Sequence, residues 1–376
     1  MINPETKELE HPERAENAAR ILDDYLTLKE DEKVLFLITE DEKDTDRELI
    51  GILKGELSKR GIDFSELIAN NQTTQEEILL AAKECNLIWN SWSMEDTEES
   101  VSFDGITEFL EENDKRMAFC PGAQAEFLDE GGCLTENIET MQERLSRMES
   151  MLKDATGFKI NSSYGTDLRM KLKKGDRKWY KDDGVIKDGS WDNLPGGEIF
   201  TTPDEESVEG VLVLPVLQDE VAIDQGVDEF VRLTFHKGQV VKIDGGASAE
   251  KLRTYLIENS ANAKDFQNVV RIAEIAFGAN SKAKTVVSDP EKGWQTPGRP
   301  TIETEKRLGT MHLALGGSGH GEEGTEGHSK STENEVHLDF VIPRNGLTVE
   351  MFTTARDYEK QKNGRKLINQ GSWNFY

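Results

Sequence analysis

Four of the six histidines, His312, His320, His328 and His337, fall in one short C-terminal stretch of the 376-residue chain. His337 stands in "EVHLDFVIP", two residues before Asp339. Side chains alternate along a strand, so His337 and Asp339 share one face while Val336, Leu338 and Phe340 share the other. Such a pair suits two ligands of one metal centre, and it equally suits a plain His–Asp hydrogen bond on a solvent face. In "GTMHLALGG" the same alternation groups Thr310, His312 and Ala314. The small neighbours leave room beside the imidazole, although a satisfied core histidine fits this pattern too. Together His312, His337 and Asp339 make a 2-His-1-carboxylate set, compatible with zinc, cobalt, manganese or ferrous iron.

Two acids stand out against apolar surroundings. Glu274 lies in "RIAEIAFGAN", and Glu198 follows a Pro-Gly-Gly turn in "NLPGGEIFTTP". A carboxylate among Ile, Ala and Phe is costly to bury unless paired or metal-bound. Added to the histidines, such acids favour a two-metal hydrolase. The competing readings are the polar face of a helix for Glu274 and an ordinary turn residue for Glu198. His320 and His328 fall in the acidic, Gly-rich stretch 316–335, "GGSGHGEEGTEGHSKSTENE", which reads as a loop between strands. His11 and His236 read as structural or solvent residues. Trp191, close before Glu198, reads either as a cleft-lining residue or as simple packing.

The rest of the chain must position these groups. Its length implies two domains. Over 1–156, helix-like and strand-like patterns alternate: "RAENAARILDDYL", "KVLFLIT", "DRELIGILKGELSKRG", "TQEEILLAAKEC", "NLIWNSW", "GITEFLEEN" and "RMAFCPG". Such alternation predicts a doubly wound α/β domain with a mostly parallel sheet. The helix of "NIETMQERLSRMESMLKDATG" closes it, with Gly157 as the expected stop. From 157 to 376 the texture changes to short alternating runs, which predict an α+β domain whose antiparallel strands carry the metal site. Within it, "SAEKLRTYLIEN" and "FQNVVRIAEIAFGAN" read as helix-like segments.

Bulk properties exclude several classes. There are 73 acids against 45 bases, a net charge of −28 spread through the chain, so nucleic acid and anionic membranes are not expected partners. No apolar run approaches the ~18 residues of a membrane span, and no secretory signal is visible. Cys85, Cys120 and Cys133 lie far apart without a C-x-x-C, which fits a reducing cytoplasm.

The motifs "NLPGGEIFTTP", "AEIAFG", "GTMHLALG" and "VHLDFVI" resemble, in order and character, those of the thermophilic aminopeptidase family, the aminopeptidase T group. The likeness covers mainly residues 157–355. It implies five metal ligands: Glu198, Glu274 (with Ala273 in place of the usual Gly), His312, His337 and Asp339. It also implies a homodimer with two divalent ions, zinc, cobalt or manganese, that removes N-terminal residues from peptides. Glu198 and Glu274 would then act at the centre of catalysis. The family's usual Tyr, seven residues after the motif His, is replaced here by Gly319, followed by His320, a candidate substitute as ligand or proton donor. A related branch, the 2,5-dihydroxypyridine dioxygenases, is similar in "GGEIFTTPDEESVEG" and "DGGASAEKLRTYL". That resemblance implies a single Fe(II) and a small aromatic substrate. In that branch a His stands at the place of Glu274 and the Glu198 position is apolar. A third possibility is a metal-binding homologue with altered or no catalysis.

Overall fold

The computed structural model describes residues 11–42, 44–94, 101–173, 177–214, 230–260, 266–284, 288–289, 293–294, 301–317, 337–344 and 346–375. The chain forms two compact units. One comprises 1–141, 182–197 and 280–283; the other comprises 142–181, 198–279 and 284–376. The sequence placed a single boundary between 156 and 157. The strand Trp191–Asn193, beyond that boundary, pairs with Arg116–Phe119 in the first unit.

The first unit holds a parallel five-stranded sheet. In spatial order its strands are Phe64–Ala69, Val34–Thr39, Leu87–Asn90, Arg116–Phe119 and Trp191–Asn193. Val34–Thr39 is buried along its whole length, as its continuous apolar run requires. Its neighbour Phe64–Ala69 lies at the sheet edge, and its positions are half-buried or exposed except for the buried Ala69. The helix Arg47–Arg60 starts where the Asp46 carboxylate accepts hydrogen bonds from the Glu48 and Leu49 amides. It ends at Gly61, whose φ of 71° favours glycine. Trp191 packs edge-on against Phe103 at 4.7 Å and near Phe119 at 6.2 Å, so of its two readings the structure shows packing.

The second unit is built on antiparallel strands. An eight-stranded sheet includes Gly157–Asn161, Asp167–Lys171, Glu209–Leu214 and Thr348–Phe352. Gly157 opens the first of these strands and does not stop the preceding helix, which runs from Ile138 to Leu152. A Cβ at Gly157 would come within 2.6 Å of the Met170 carbonyl oxygen, so close strand packing explains the glycine. The remaining sheet has five strands in the order His337–Ile342, Met311–Gly316, Ile272–Gly278, Glu198–Thr201 and Tyr180–Asp182.

One expectation is corrected here. The segment around Glu274 is not helical: the short helix Phe266–Val269 ends before it, and Ile272–Gly278 is a fully buried strand. Its apolar residues fill a sheet interior, and hydrogen bonding to strands on both sides satisfies its backbone.

Candidate metal centre

The register of the five-stranded sheet gathers the donor residues. Ala314 pairs with Glu274 on one side and Asp339 on the other. His312 pairs with Ala276 and Val341, Gly316 with His337, and Glu198 with Gly278. All these residues therefore share one face of the sheet. Ile275, Phe277, Met311, Leu313, Leu315, Leu338, Phe340 and Ile342 occupy the opposite face and are buried. Where donors converge, the intervening positions are the small residues Ala276, Ala314 and Gly316. The ladder shifts register between Ile272 and Glu274. Such an irregularity bends a strand and re-aims its side chains, here at Glu274.

Side-chain distances confirm the convergence. His312 Nε2 lies 3.1 Å from Glu274 Oε1, 3.2 Å from Glu198 Oε2 and 3.8 Å from Asp339 Oδ1. His337 Nε2 lies 3.6 Å from Asp339 Oδ2. The other nitrogen of His337 lies 2.8 Å from the Gly317 carbonyl oxygen, a contact that orients Nε2 toward the carboxylates when Nδ1 carries the proton. Glu198, Glu274 and His312 are buried, whereas the His337 side chain is partly exposed.

Three sets of donors lie within 4.8 Å of one another: Glu198, Glu274 and His312; Glu274, His337 and Asp339; and Glu305, His312 and Asp339. Among the described residues His312 and His337 do not meet in one set. Each of these sets holds one imidazole and two carboxylates, and both His312 and His337 lie beside Asp339. The protein fits a metal ion here. Four carboxylates crowd a buried space, and Glu198 Oε2 and Asp339 Oδ1 are buried without a hydrogen bond among the described residues.

Glu305 and Lys306, which the sequence analysis did not single out, also lie at the site. Their backbone passes against Gly278, where a Cβ would lie 2.2 Å from the Arg307 carbonyl oxygen and 2.6 Å from that of Glu305. Because Gly278 pairs with Glu198, this close approach brings the segment to the Glu198 end of the site. The Lys306 side chain is completely buried, and its Nζ donates to Glu198 Oε1 at 2.6 Å. It also lies 3.0 Å from Glu305 Oε1.

The electrostatics reflect this crowding. Burial opposes charge on His312, but Glu198, Glu274, Asp339 and Glu305 outweigh it and push the imidazole up to about 10. Burial likewise opposes charge on His337, which Asp339 and Glu274 also raise to about 10. Asp339 is raised by burial, yet the two imidazoles hold it below the usual carboxylate range. Burial pushes Glu305 up to about 8, against the pull of Lys306. Of the residues singled out from sequence, Glu198, Glu274, His312, His337 and Asp339 come together. His320 and His328 lie outside the described residues.

Comparison with known proteins shows what the chain is similar to. Residues 109–316 match the family model NicX, 2,5-dihydroxypyridine 5,6-dioxygenase. The 2,5-dihydroxypyridine 5,6-dioxygenase of Pseudomonas putida is 34% identical over 149 residues, 39% of this chain and 40% of that protein. The chain thus spans about two fifths of the length of that curated relative. Among solved structures, a 2,5-dihydroxypyridine dioxygenase from Pseudomonas putida shares the fold with a TM-score of 0.65 at 18% identity, over 96% of both chains. AmpT from Thermus thermophilus does so with a TM-score of 0.65 at 17% identity, over 96% of this chain and 99% of that one. The two branches that the motifs resemble therefore share one architecture, and this chain has it. With more than half of its length matched by one family model, the chain belongs to the 2,5-dihydroxypyridine 5,6-dioxygenase family.

Proposed function

We propose that the protein is a metal-dependent dioxygenase that opens a small hydroxylated aromatic ring, of the 2,5-dihydroxypyridine type, with Fe(II) held by Glu274, His337 and Asp339. The observation that carries this reading is the meeting of those three donors within 4.8 Å on the strands that hold the H-x-D motif and Glu274. Family membership supports it. Ferrous iron there would supply the one-electron chemistry that dioxygen needs to react with a closed-shell ring. The chain's own residues supply position and charge. The Gly317 carbonyl holds the His337 ring, and Ala314 and Gly316 are the small residues that pair with Asp339 and His337. Glu274 in place of a His makes the donor set richer in oxygen, which widens the range of metals it accepts.

The test is oxygen uptake with 2,5-dihydroxypyridine by the ferrous-loaded protein, together with loss of the ring's absorbance. Uptake that disappears in Asp339→Asn is expected. No uptake by a protein shown to carry iron would overturn the ring-opening reading.

A second reading rests on a different observation. Glu274 belongs to two donor sets, as a carboxylate bridging two metals would. This favours a two-metal hydrolase of aminopeptidase type with zinc, cobalt or manganese, and metal-dependent release of an N-terminal residue from a peptide tests it. Under either reading we propose a homodimer in the cytoplasm acting on a small molecule or peptide, with neither nucleic acid nor membrane as partner. No helix among the described residues is long and apolar enough to cross a membrane.

A further inference from the structure

We infer that Phe200, backed by Tyr180, is the wall against which a planar aromatic substrate packs, and so the residue that selects for an aromatic ring. The inference rests on the ring-opening reading above and adds what recognises the ring. Phe200 follows Glu198 by two on the strand Glu198–Thr201, so the two share a face. Phe200 pairs with Ala276, and Ala276 pairs in turn with His312. The Phe200 ring therefore stands on the donor face, in the row of His312. Glu274 is its diagonal neighbour, at a separation of about 7–8 Å that an aromatic side chain spans. Exposure singles this residue out. Every residue of the three interior strands, Glu198–Thr201, Ile272–Gly278 and Met311–Gly316, is buried except Phe200, which is half-buried. What reaches that ring from solvent arrives beside the donors. Tyr180, on the flanking strand Tyr180–Asp182, is half-buried too. Its ring stacks on Phe200, with centroids 5.5 Å apart and planes 25° from parallel. The preceding Trp179 packs instead with Phe277 on the opposite face, at 6.0 Å between centroids, as alternation along a strand requires. Tyr180 is thus a positioning residue that holds the Phe200 ring in place. An aromatic substrate beside Phe200 gains an offset-stacked or edge-on contact that a saturated ring lacks, because the quadrupole of one π-system favours another.

The experiment measures binding without oxygen, by calorimetry on the full-length, ferrous-loaded protein. The probes are 2,5-dihydroxypyridine and its saturated counterpart, 5-hydroxypiperidin-2-one. Both carry oxygen at the same two ring positions, and they differ in the flat π-ring. Wild type is expected to bind the aromatic probe more tightly. Phe200→Leu keeps an apolar side chain and removes the ring. It is expected to weaken the aromatic probe about 2- to 12-fold and to leave the saturated one unchanged. Phe200→Tyr should retain the preference, and Tyr180→Leu should reduce it in part. Equal weakening of both probes, or of neither, in a folded Phe200→Leu would overturn the inference. Should that variant fail to fold, Tyr180→Leu decides: a loss confined to the aromatic probe supports the inference, and an equal or absent effect on both overturns it. Wild type that holds both probes equally, or neither, also overturns it. The ring-opening reading fails separately. It falls if a wild type that prefers the aromatic probe takes up no oxygen, and it stands if oxygen is consumed while Phe200→Leu binds both probes as wild type does.

Discussion

Glu274 and Asp339 face each other across Ala314, which pairs with both in neighbouring strands of one antiparallel sheet. A methyl group is all that separates two carboxylate-bearing positions, and the space above it belongs to the site. Ala314→Leu should fill that space. Metal affinity is expected to fall at least about tenfold, by analogy with disturbing a ligand's immediate supports, with a stability cost of roughly 1–3 kcal/mol from overpacking. Equilibrium dialysis and thermal melting check the two effects separately, and unchanged metal content would contradict the placement.

Asp339→Asn and His337→Ala each remove a donor from the set that includes Glu274. Each should lower metal affinity by at least about 10–100-fold, the range seen when even outer partners of ligands are lost. Circular dichroism should show the fold retained, because His337 is partly exposed and lies at the end of its strand.

The metal-free protein should respond to pH in a defined direction. His312 and His337 are raised from 6.5 to about 10 by the surrounding carboxylates. Between these values the folded metal-free chain holds more protons than the unfolded one. Its stability is therefore fully present below about pH 6.5 and falls as pH rises toward 10. A metal must displace those protons, so cobalt affinity should rise with pH over the same window, with measurable proton release on binding. Calorimetry in buffers of different ionisation enthalpy reads the protons directly. Affinity independent of pH would show that the imidazoles are not displaced.

Gly278→Ala places a methyl carbon 2.2 Å from the Arg307 carbonyl oxygen. The backbone carrying Glu305 and Lys306 must move, at a cost of about 1–3 kcal/mol. A melting temperature equal to wild type would show that the segment yields easily.

Asp46→Ala provides a contrast in the first unit. Asp46 accepts from Glu48 N at 2.8 Å and, through its other oxygen, from Ala125 N at 2.7 Å. Its loss should cost about 1 kcal/mol without changing metal content, as chemical denaturation and elemental analysis would show.

Much of this was legible in the chain itself. Alternation in "VHLDFVI" and "TMHLALG" determined which residues share a strand face, because period-two geometry needs no tertiary partner. The continuous apolar runs of the first unit likewise marked its buried parallel strands. The edge strand Phe64–Ala69 escaped the same reading because its positions are partly exposed and its pattern is correspondingly weak. Around Glu274, "RIAEIAFG" fits a buried strand and a helix alike; hydrogen bonding to strands on both sides decided between them. Trp191 sits beside Glu198 in sequence, but its strand pairs with Arg116–Phe119 in the other sheet. The sequence by itself determined the donor types and most of the faces they occupy. Only the tertiary structure decided that Glu305 and Lys306 belong with them, because a charged run carries no mark of burial until a glycine on another strand lets its backbone come close.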